Sequence, residues 1–230
     1  MAADALEGRR LLSLLQISDS AFPTGAFSHS QGLEAFHAAG ELEDAEDLSR
    51  LVRLQLGALA TSDCVALRVA HGTGGVKRAA DIDRLLTATK LARELREASA
   101  STGRKFLRSA SAFGIGGRVE EFGRLVREGG ADGNLAVCHG VACSELGIGE
   151  QEALHAYLYA SAASLVAAGQ KLIPLGGNTA QHVLYEVGEE ALRAAEDSAG
   201  MEAEDMYGFA PTVDLRSMLH ERQRVRLYIS

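Results

Sequence analysis

GIGEQEALHAYLYASAASLVAAGQKLI, residues 147–173, predicts a long and almost uncharged helix. It opens with acidic residues, which suit the positive end of a helix dipole, and continues mainly in Ala, Ser and Gly. Small side chains let neighbouring helices approach closely, so we expect this to be the central helix of a packed helical protein. Pro174 and the glycines at 176–177 end the pattern, because proline cannot continue a helix.

The segments on either side of this helix also repeat apolar residues at helical spacing. Leu48, Leu51 and Leu56, for example, fall on one face of a helix predicted over 41–70. No convincing stretch alternates apolar and polar residues as a strand would. We expect an all-α, single-domain bundle of about eight to ten helices over residues 1–230. The predicted helical segments are 11–22, 31–39, 41–70, 81–112 with a turn near Gly103, 119–127, 135–146, 147–173, 179–197 and a last helix within 214–230 that is followed by an extended end.

The composition excludes several classes of partner. The 230 residues include 31 acidic and 23 basic side chains, a net charge of −8, whereas nucleic-acid-binding proteins usually carry a basic stripe. No apolar run reaches the roughly 18 residues of a membrane span, and no signal peptide is apparent. Three cysteines are too few for a disulfide framework. We therefore expect a cytoplasmic protein with no nucleic-acid or membrane partner.

Two glycine-rich stretches and one Cys/His group are the candidates for ligand binding. HGTGGVKR (71–78) and FGIGGRVE (113–120) lack the spacing of phosphate-binding loops, so they are expected to end helices. Cys138-His139 with Cys143 has no second ligand pair, as a zinc site would need. Buried structural cysteines are expected instead, while a weak or shared metal site between chains stays open.

FPTGAFSHSQGLEAF, residues 22–36, places a histidine between two serines. Side chains adjacent in sequence rarely point at one another as a catalytic triad requires. Pro23, Gly25 and Gly32 indicate a break between helices, and Ser30 is a suitable N-cap for the helix that follows from 31.

The missing catalytic motifs favour a binding or assembly role. In that role we expect Phe27 and His29 to face outward or into a partner. The alternative is a small all-α enzyme whose pocket is lined by Ser28, His29 and Glu34.

Three segments, taken in order, resemble the urease accessory protein UreF family. They are FPTGAFSHSQGLEAF (22–36), LHAYLYASAASLVAAGQKLIPLGGNTAQHVL (154–184) and PTVDLRSMLHERQRVRLYIS (211–230). ARELREAS (92–99), followed by Gly103, is similar to a further family segment, so the resemblance covers nearly the whole chain.

The resemblance implies an all-α homodimer that has no catalytic turnover and no cofactor of its own. It also implies assembly with UreD, also called UreH, and with the GTPase UreG on apo-urease. In that assembly nickel is handled by the complex, and the chain bridges UreD and UreG and gates GTP-dependent nickel delivery during urease maturation. Whether nickel contacts this chain directly stays open.

The resemblance also implies partner-binding positions. Residues 1–10 and 211–230 are expected to contact partners, the latter toward UreD. His29 stands where the family commonly has tyrosine, and Gly177 stands where it commonly has glutamine. The predicted partner-binding residues are Phe27, His29, Glu34, Lys171, Gln181, Ser217, His220, Glu221, Gln223, Arg226, Leu227 and Tyr228.

Lys171 and the C-terminal tail each allow two interpretations. Lys171 is the only Lys, Arg, Asp or Glu between Ala153 and Val183, so it either faces the negative end of its helix or contacts an acidic partner or the GTPase. The tail interleaves four arginines with apolar residues, which is typical of an interface. From composition alone it could equally be a solvated last helix. The arginines are Arg216, Arg222, Arg224 and Arg226.

Overall fold

The chain is helical throughout the part that a computed structural model describes, residues 2–223 and 226–229, with side chains from Ala5 onward. That part contains twelve α-helices, two short 3₁₀ turns and no strand, so the all-α prediction is confirmed. The helices are α1 (Ala2–Ser18), α2 (Leu33–Ala38), α3 (Ala45–Ala60), α4 (Asp63–Gly72), α5 (Val76–Thr89), α6 (Arg93–Ala112), α7 (Arg118–Arg127), α8 (Leu135–Glu145), α9 (Glu150–Leu172), α10 (Gly177–Glu186), α11 (Gly188–Ser198) and α12 (Pro211–His220). The 3₁₀ turns are Ala26–Ser28 and Ala203–Asp205.

The helices within the described ranges outnumber the eight to ten predicted, because some predicted segments hold two helices. Segment 41–70 divides at Thr61 and Ser62. The Ser62 hydroxyl donates to the Ala58 carbonyl at 2.8 Å. Two hydrogen bonds join Thr61 to Tyr207: the Thr61 carbonyl accepts the Tyr207 amide at 3.0 Å, and the Thr61 hydroxyl donates to the Tyr207 carbonyl at 2.9 Å. The spacing of apolar residues within 41–70 cannot reveal this contact, because Tyr207 lies in a loop far along the chain.

The predicted turn near Gly103 is wrong, because α6 runs through this residue. The chain breaks earlier, at Lys90, whose backbone is extended. Gly103 instead permits a close approach: an added Cβ would lie 2.7 Å from the Leu135 nitrogen and 2.8 Å from the Asn134 carbonyl carbon. Glycine is therefore required here by packing and not by a turn.

Helix α9 is central, as its small residues predicted. It packs against α1, α2, α3, α4, α8, α10 and α11. Gly169 faces Leu48 of α3 so closely that an added Cβ would lie 2.6 Å from both Leu48 methyl carbons. Helices α4 and α8 approach in the same way, since a Cβ on Gly140 would lie 2.5 Å from the Leu67 carbonyl oxygen.

The three cysteines are free and buried in the core, which confirms their structural interpretation. Burial, with a smaller effect of Glu152, raises the pKa of Cys143 to about 12, so its thiol stays protonated at neutral pH. His139 lies 3.5 Å from the Cys143 sulfur through Nδ1. Burial, helped by His71, lowers the pKa of His139 to about 4.

Helix α1 includes the segment predicted as an N-terminal tail. Its helical bounds begin at Ala2, and Leu11, Leu12 and Leu15 are exposed although the helix packs on α9. No helix in residues 2–223 is long and apolar enough to cross a membrane.

Candidate functional site

The last described residues, 226–229, fold back onto the segment between α1 and α2. The Ile229 amide donates to the Ser28 carbonyl at 3.0 Å. The Tyr228 hydroxyl donates to the Ala168 carbonyl of α9 at 3.2 Å. The first segment, the end of α9 and the tail therefore meet at one place in the fold.

The start of α2 is set by two residues with positive φ. Gln31 has a φ of 52° and Gly32 a φ of 89°, so the helix begins at Leu33 and not at 31 as predicted. The Ser30 hydroxyl nevertheless accepts the Glu34 amide at 3.4 Å, as a capping side chain does. This turn directs the first side chains of α2 toward the tail.

Glu34 holds the tail through its carboxylate. One oxygen accepts the Leu227 amide at 2.6 Å, and the other accepts the Tyr228 amide at 2.9 Å. The second oxygen also lies 3.0 Å from His220 Nε2. Burial acts to raise the pKa of Glu34, but the hydrogen bonds from Leu227, His220 and Tyr228 together outweigh it and lower that pKa.

His220 is fully buried between two carboxylates. Its Nδ1 lies 2.7 Å from Glu94 of α6, on the side of the ring opposite to Glu34. Each ring nitrogen of His220 therefore faces a carboxylate oxygen. Arg226 completes the cluster by donating to the other Glu94 oxygen at 2.6 Å. The tail is thus fixed by a hydrogen-bonded network of Glu34, Glu94, His220 and Arg226 that has the buried His220 at its centre.

Lys171, in the last turn of α9, lies over two aromatic rings. Its Nζ is 6.0 Å from the Phe27 ring centroid and 5.6 Å from that of Tyr228, distances at which a cation attracts a ring face. Phe27 projects outward from a turn in which the Ser28 hydroxyl donates to the Gly25 carbonyl at 2.7 Å. The amine therefore contacts both the first segment and the tail.

Four exposed side chains surround this junction, and we call them the tail patch: Phe27, Lys171, Leu227 and Ile229. Phe27 is 72% exposed, Leu227 65% and Ile229 67%. Apolar side chains this exposed, next to a cation and on a tail held in place, are typical of a protein interface.

Comparison with known proteins identifies the family of this chain. The UreF family model matches residues 42–188. The chain belongs to the UreF family.

Relatives over almost the full length include three named urease accessory protein UreF. The one from Kocuria rhizophila is 37% identical over 226 residues, covering 96% of this chain and 97% of its own length. Those from Paenarthrobacter aurescens and Arthrobacter sp. are 36% and 34% identical, covering 95% and 98% of this chain and 97% and 100% of their own lengths.

As a member of the UreF family the chain is a urease accessory protein and not an enzyme. The alternative pocket of Ser28, His29 and Glu34 is not assembled. The Ser28 hydroxyl bonds to its own turn, and the Glu34 carboxylate is occupied by His220 and the tail amides. Within residues 5–223 and 226–229, no group of three His, Cys, Asp or Glu side chains could hold a metal ion.

His29 and Gln181 belong neither to the hydrogen-bond network around Glu34 nor to the tail patch. His29 is only 8% exposed and lines a cavity, so it does not face outward as Phe27 does. Burial, with a smaller effect of Lys105, lowers the pKa of His29. Gln181 is exposed on α10.

The remaining predicted residues, Ser217, Glu221 and Gln223, lie in α12 and just after it. Ser217 is buried next to Gly32, where an added Cβ would lie 2.8 Å from the serine hydroxyl. The Glu221 carboxylate lies 3.2 Å from the Arg93 guanidinium. The backbone amide of Gln223 donates to the His220 carbonyl at 3.0 Å. Arg224, Val225 and Ser230, also part of the predicted tail, lie outside the described residues.

The sequence interpretation missed Glu94 as a site residue. It is 6% exposed and bonds to both His220 and Arg226. The segment ARELREAS (92–99) resembles a family segment, but the resemblance assigns no role to Glu94. The available signal was that resemblance itself, since a buried acid in this family segment needs a basic partner elsewhere in the chain.

Proposed function

We propose that the chain bridges UreD, also called UreH, and the GTPase UreG on apo-urease. In this role it gates GTP-dependent delivery of nickel to the urease active site. It acts in the cytoplasm as a homodimer, without a cofactor of its own, and nickel is handled by the complex.

The tail patch is the observation that carries this proposal. A tail held by Glu34 and His220 presents Leu227 and Ile229 in one fixed arrangement beside Phe27. A surface that is ordered before binding loses less conformational entropy when a partner arrives. The patch therefore suits a stable contact, and we assign it to UreD.

Bridging needs a second surface, and the exposed face of α10 supplies one. Tyr185 is 84% exposed there, and Gln181 is exposed on the same helix. Exposed tyrosines often anchor protein interfaces, because they bury a large ring at small entropic cost. We assign this face to the UreG side of the complex.

Co-purification of the full chain with UreD and UreG tests the role. Leu227→Ser should lose UreD, while Leu192→Ser, which changes an exposed leucine of α11, should retain it. Tyr185→Ser should lose UreG and keep UreD. A chain that captures neither partner, together with normal urease activation in a strain lacking its gene, would refute the proposal.

A further inference from the structure

The segment between α11 and α12, residues 199–210, belongs neither to the tail patch nor to the α10 face, and we call it the acidic strap. The chain from 194 to 215 contains six acids and no Lys, Arg or His. This stretch therefore holds much of the acid that gives the chain its net charge of −8. Five of the acids are exposed, in the strap or in the last turn of α11 just before it: Glu196, Asp197, Glu202, Glu204 and Asp205.

Neighbouring basic side chains neutralise little of this charge. Arg78 of α5 lies 3.7 Å from Glu204, but the two side chains are 52% and 76% exposed, and so exposed an ion pair contributes little. Arg68 of α4 donates to the Met201 carbonyl at 3.1 Å and lies 3.3 Å from Glu150, which balances its charge. The carboxylates of the strap therefore stay available to a partner.

The backbone of the strap is held against the rest of the fold. The Tyr207 amide donates to the Thr61 carbonyl at 3.0 Å, and the Tyr207 carbonyl accepts the Thr61 hydroxyl at 2.9 Å. Gly208 packs on the end of α5, since an added Cβ would lie 2.8 Å from the Thr89 carbonyl oxygen. Met206 is buried in the core. A surface fixed in this way loses less conformational entropy when a partner binds.

Two aromatic side chains project from this fixed backbone. Tyr207 is 55% exposed and Phe209 is 69% exposed, one on each side of Gly208. Aromatic residues are enriched at protein interfaces, because burying a ring removes a large apolar area from water. The strap thus combines two interface anchors with a surrounding group of carboxylates.

The charge of the strap decides which kind of partner it fits. A two-fold contact with a second copy brings the same patch of both chains together, so two acidic straps would repel each other. Nucleic acid and anionic lipid surfaces carry negative charge and would be repelled as well. A positively charged protein segment is attracted, and an Arg side chain in it could also stack on an aromatic ring.

We propose that the acidic strap docks a basic, apolar segment of a partner protein. The apolar side chains of that segment pack on Tyr207 and Phe209, and its Lys or Arg side chains lie against the carboxylates of the strap. Because the strap is separate from the tail patch and the α10 face, this docking does not depend on the binding of UreD or UreG.

An NMR titration of the full chain tests the proposal with three synthetic peptides of equal length. The first repeats Arg-Leu-Lys-Phe, the second has Ser in place of Leu and Phe, and the third has Glu in place of Arg and Lys. The first peptide should shift the amide signals of Tyr207, Gly208 and Phe209 saturably. The second should bind at least about tenfold more weakly, because it lacks apolar anchors, and the third should cause no saturable shift.

Aromatic variants separate docking at the strap from general attraction to an acidic protein. Tyr207→Ser and Phe209→Ser should each weaken binding of the first peptide by at least about fivefold. Tyr185→Ser, which changes an exposed tyrosine outside the strap, should leave that affinity unchanged.

A matched pair of charge variants tests the carboxylates. The double variant Glu202→Gln and Glu204→Gln should weaken binding of the first peptide several-fold at low salt, with a smaller effect at high salt. The double variant Glu120→Gln and Glu121→Gln, which changes two exposed acids of α7, should bind as wild type does.

Four results would each overturn the proposal. They are the absence of saturable shifts in the strap, equal affinity for the serine peptide, unchanged affinity in both aromatic variants, and strap signals that move with the concentration of the chain alone. The last result would assign the strap to a second copy.

Discussion

Replacing Glu34 by glutamine should release the C-terminal tail without changing the size of the side chain. In the folded chain the carboxylate accepts the amides of Leu227 and Tyr228 and faces His220. Glutamine removes the charge and exchanges one acceptor oxygen for an NH₂ group, which cannot accept either amide.

The magnitude follows from those bonds. A hydrogen bond to a charged group contributes about 1.5–3 kcal/mol, and the Glu34 side chain is only 12% exposed, so solvent screens it little. Weakening both amide bonds at the low end of this range costs about 3 kcal/mol of local stability. Because every 1.4 kcal/mol is tenfold, the tail should open roughly 100-fold more often.

Amide hydrogen exchange measured by NMR reads this opening directly. The amides of Leu227 and Tyr228 should exchange roughly 100-fold faster in Glu34→Gln than in the wild-type chain. Glu97→Gln, which changes an exposed acid of α6, should leave them unchanged. Equal exchange rates at both amides in wild type and Glu34→Gln would refute the assignment of Glu34 as the tail anchor.

The pH dependence of hydrogen exchange at the Leu227 and Tyr228 amides tests the role of Glu34 independently. The pKa of Glu34 is lowered from 4.5 on folding, so its stabilisation is present above pH 4.5 and is lost as the pH falls through the lower, folded value. Wild-type tail protection should therefore decrease below pH 4.5. Glu34→Gln should lack this transition, and an acid transition of the same size in both chains would contradict the role of this carboxyl.

Three further predictions concern the fold and the tail. Gly103→Ala should lower the free energy of unfolding, measured in urea, by about 1–3 kcal/mol, because the added methyl group overpacks the contact with the chain near Leu135. Gly57→Ala, whose added Cβ has no atom within 4 Å, should raise that free energy by roughly 0.5–1 kcal/mol. Equal effects of the two substitutions would contradict the close approach at Gly103. Because folding lowers the pKa of His139 from 6.5 to about 4, the free energy of unfolding should decrease by about 3 kcal/mol as the pH falls from 6.5 to about 4. His139→Gln should remove this pH dependence, whereas the control His155→Gln should keep it. A chain ending at Ala210 should keep its oligomeric state in sedimentation and lose UreD in a pull-down, and full UreD binding would refute the tail assignment.

Much of the fold followed from local chemistry. The small residues of 147–173 predicted a central helix, and Gly169 does lie against Leu48. The errors arose where a distant residue decides a local feature. Thr61 marks a break because Tyr207 pairs with its backbone, and Gly103 stays helical because the chain near Leu135 packs against it. Periodicity within one segment contains no such information.

The sequence predicts most residues of the site but not how they contact one another. Resemblance brought out Glu34, His220 and Lys171 as separate positions, yet nothing local indicates that one carboxylate accepts two tail amides. Glu94 was missed for the same reason, since its partner His220 lies 126 residues away in sequence. His29 was expected to face outward and is buried, because the turn that exposes Phe27 directs the next histidine toward a cavity.

The affinity of purified UreD for variants of this chain, measured by calorimetry, tests most directly whether the joined segments form one partner surface. Phe27→Ser and Leu227→Ser lie in different segments and should each weaken UreD binding by at least about tenfold, with less than additive loss in the double variant. Tyr159→Ser, which changes an exposed tyrosine of α9, serves as the control. Wild-type affinity in both single variants would contradict the account.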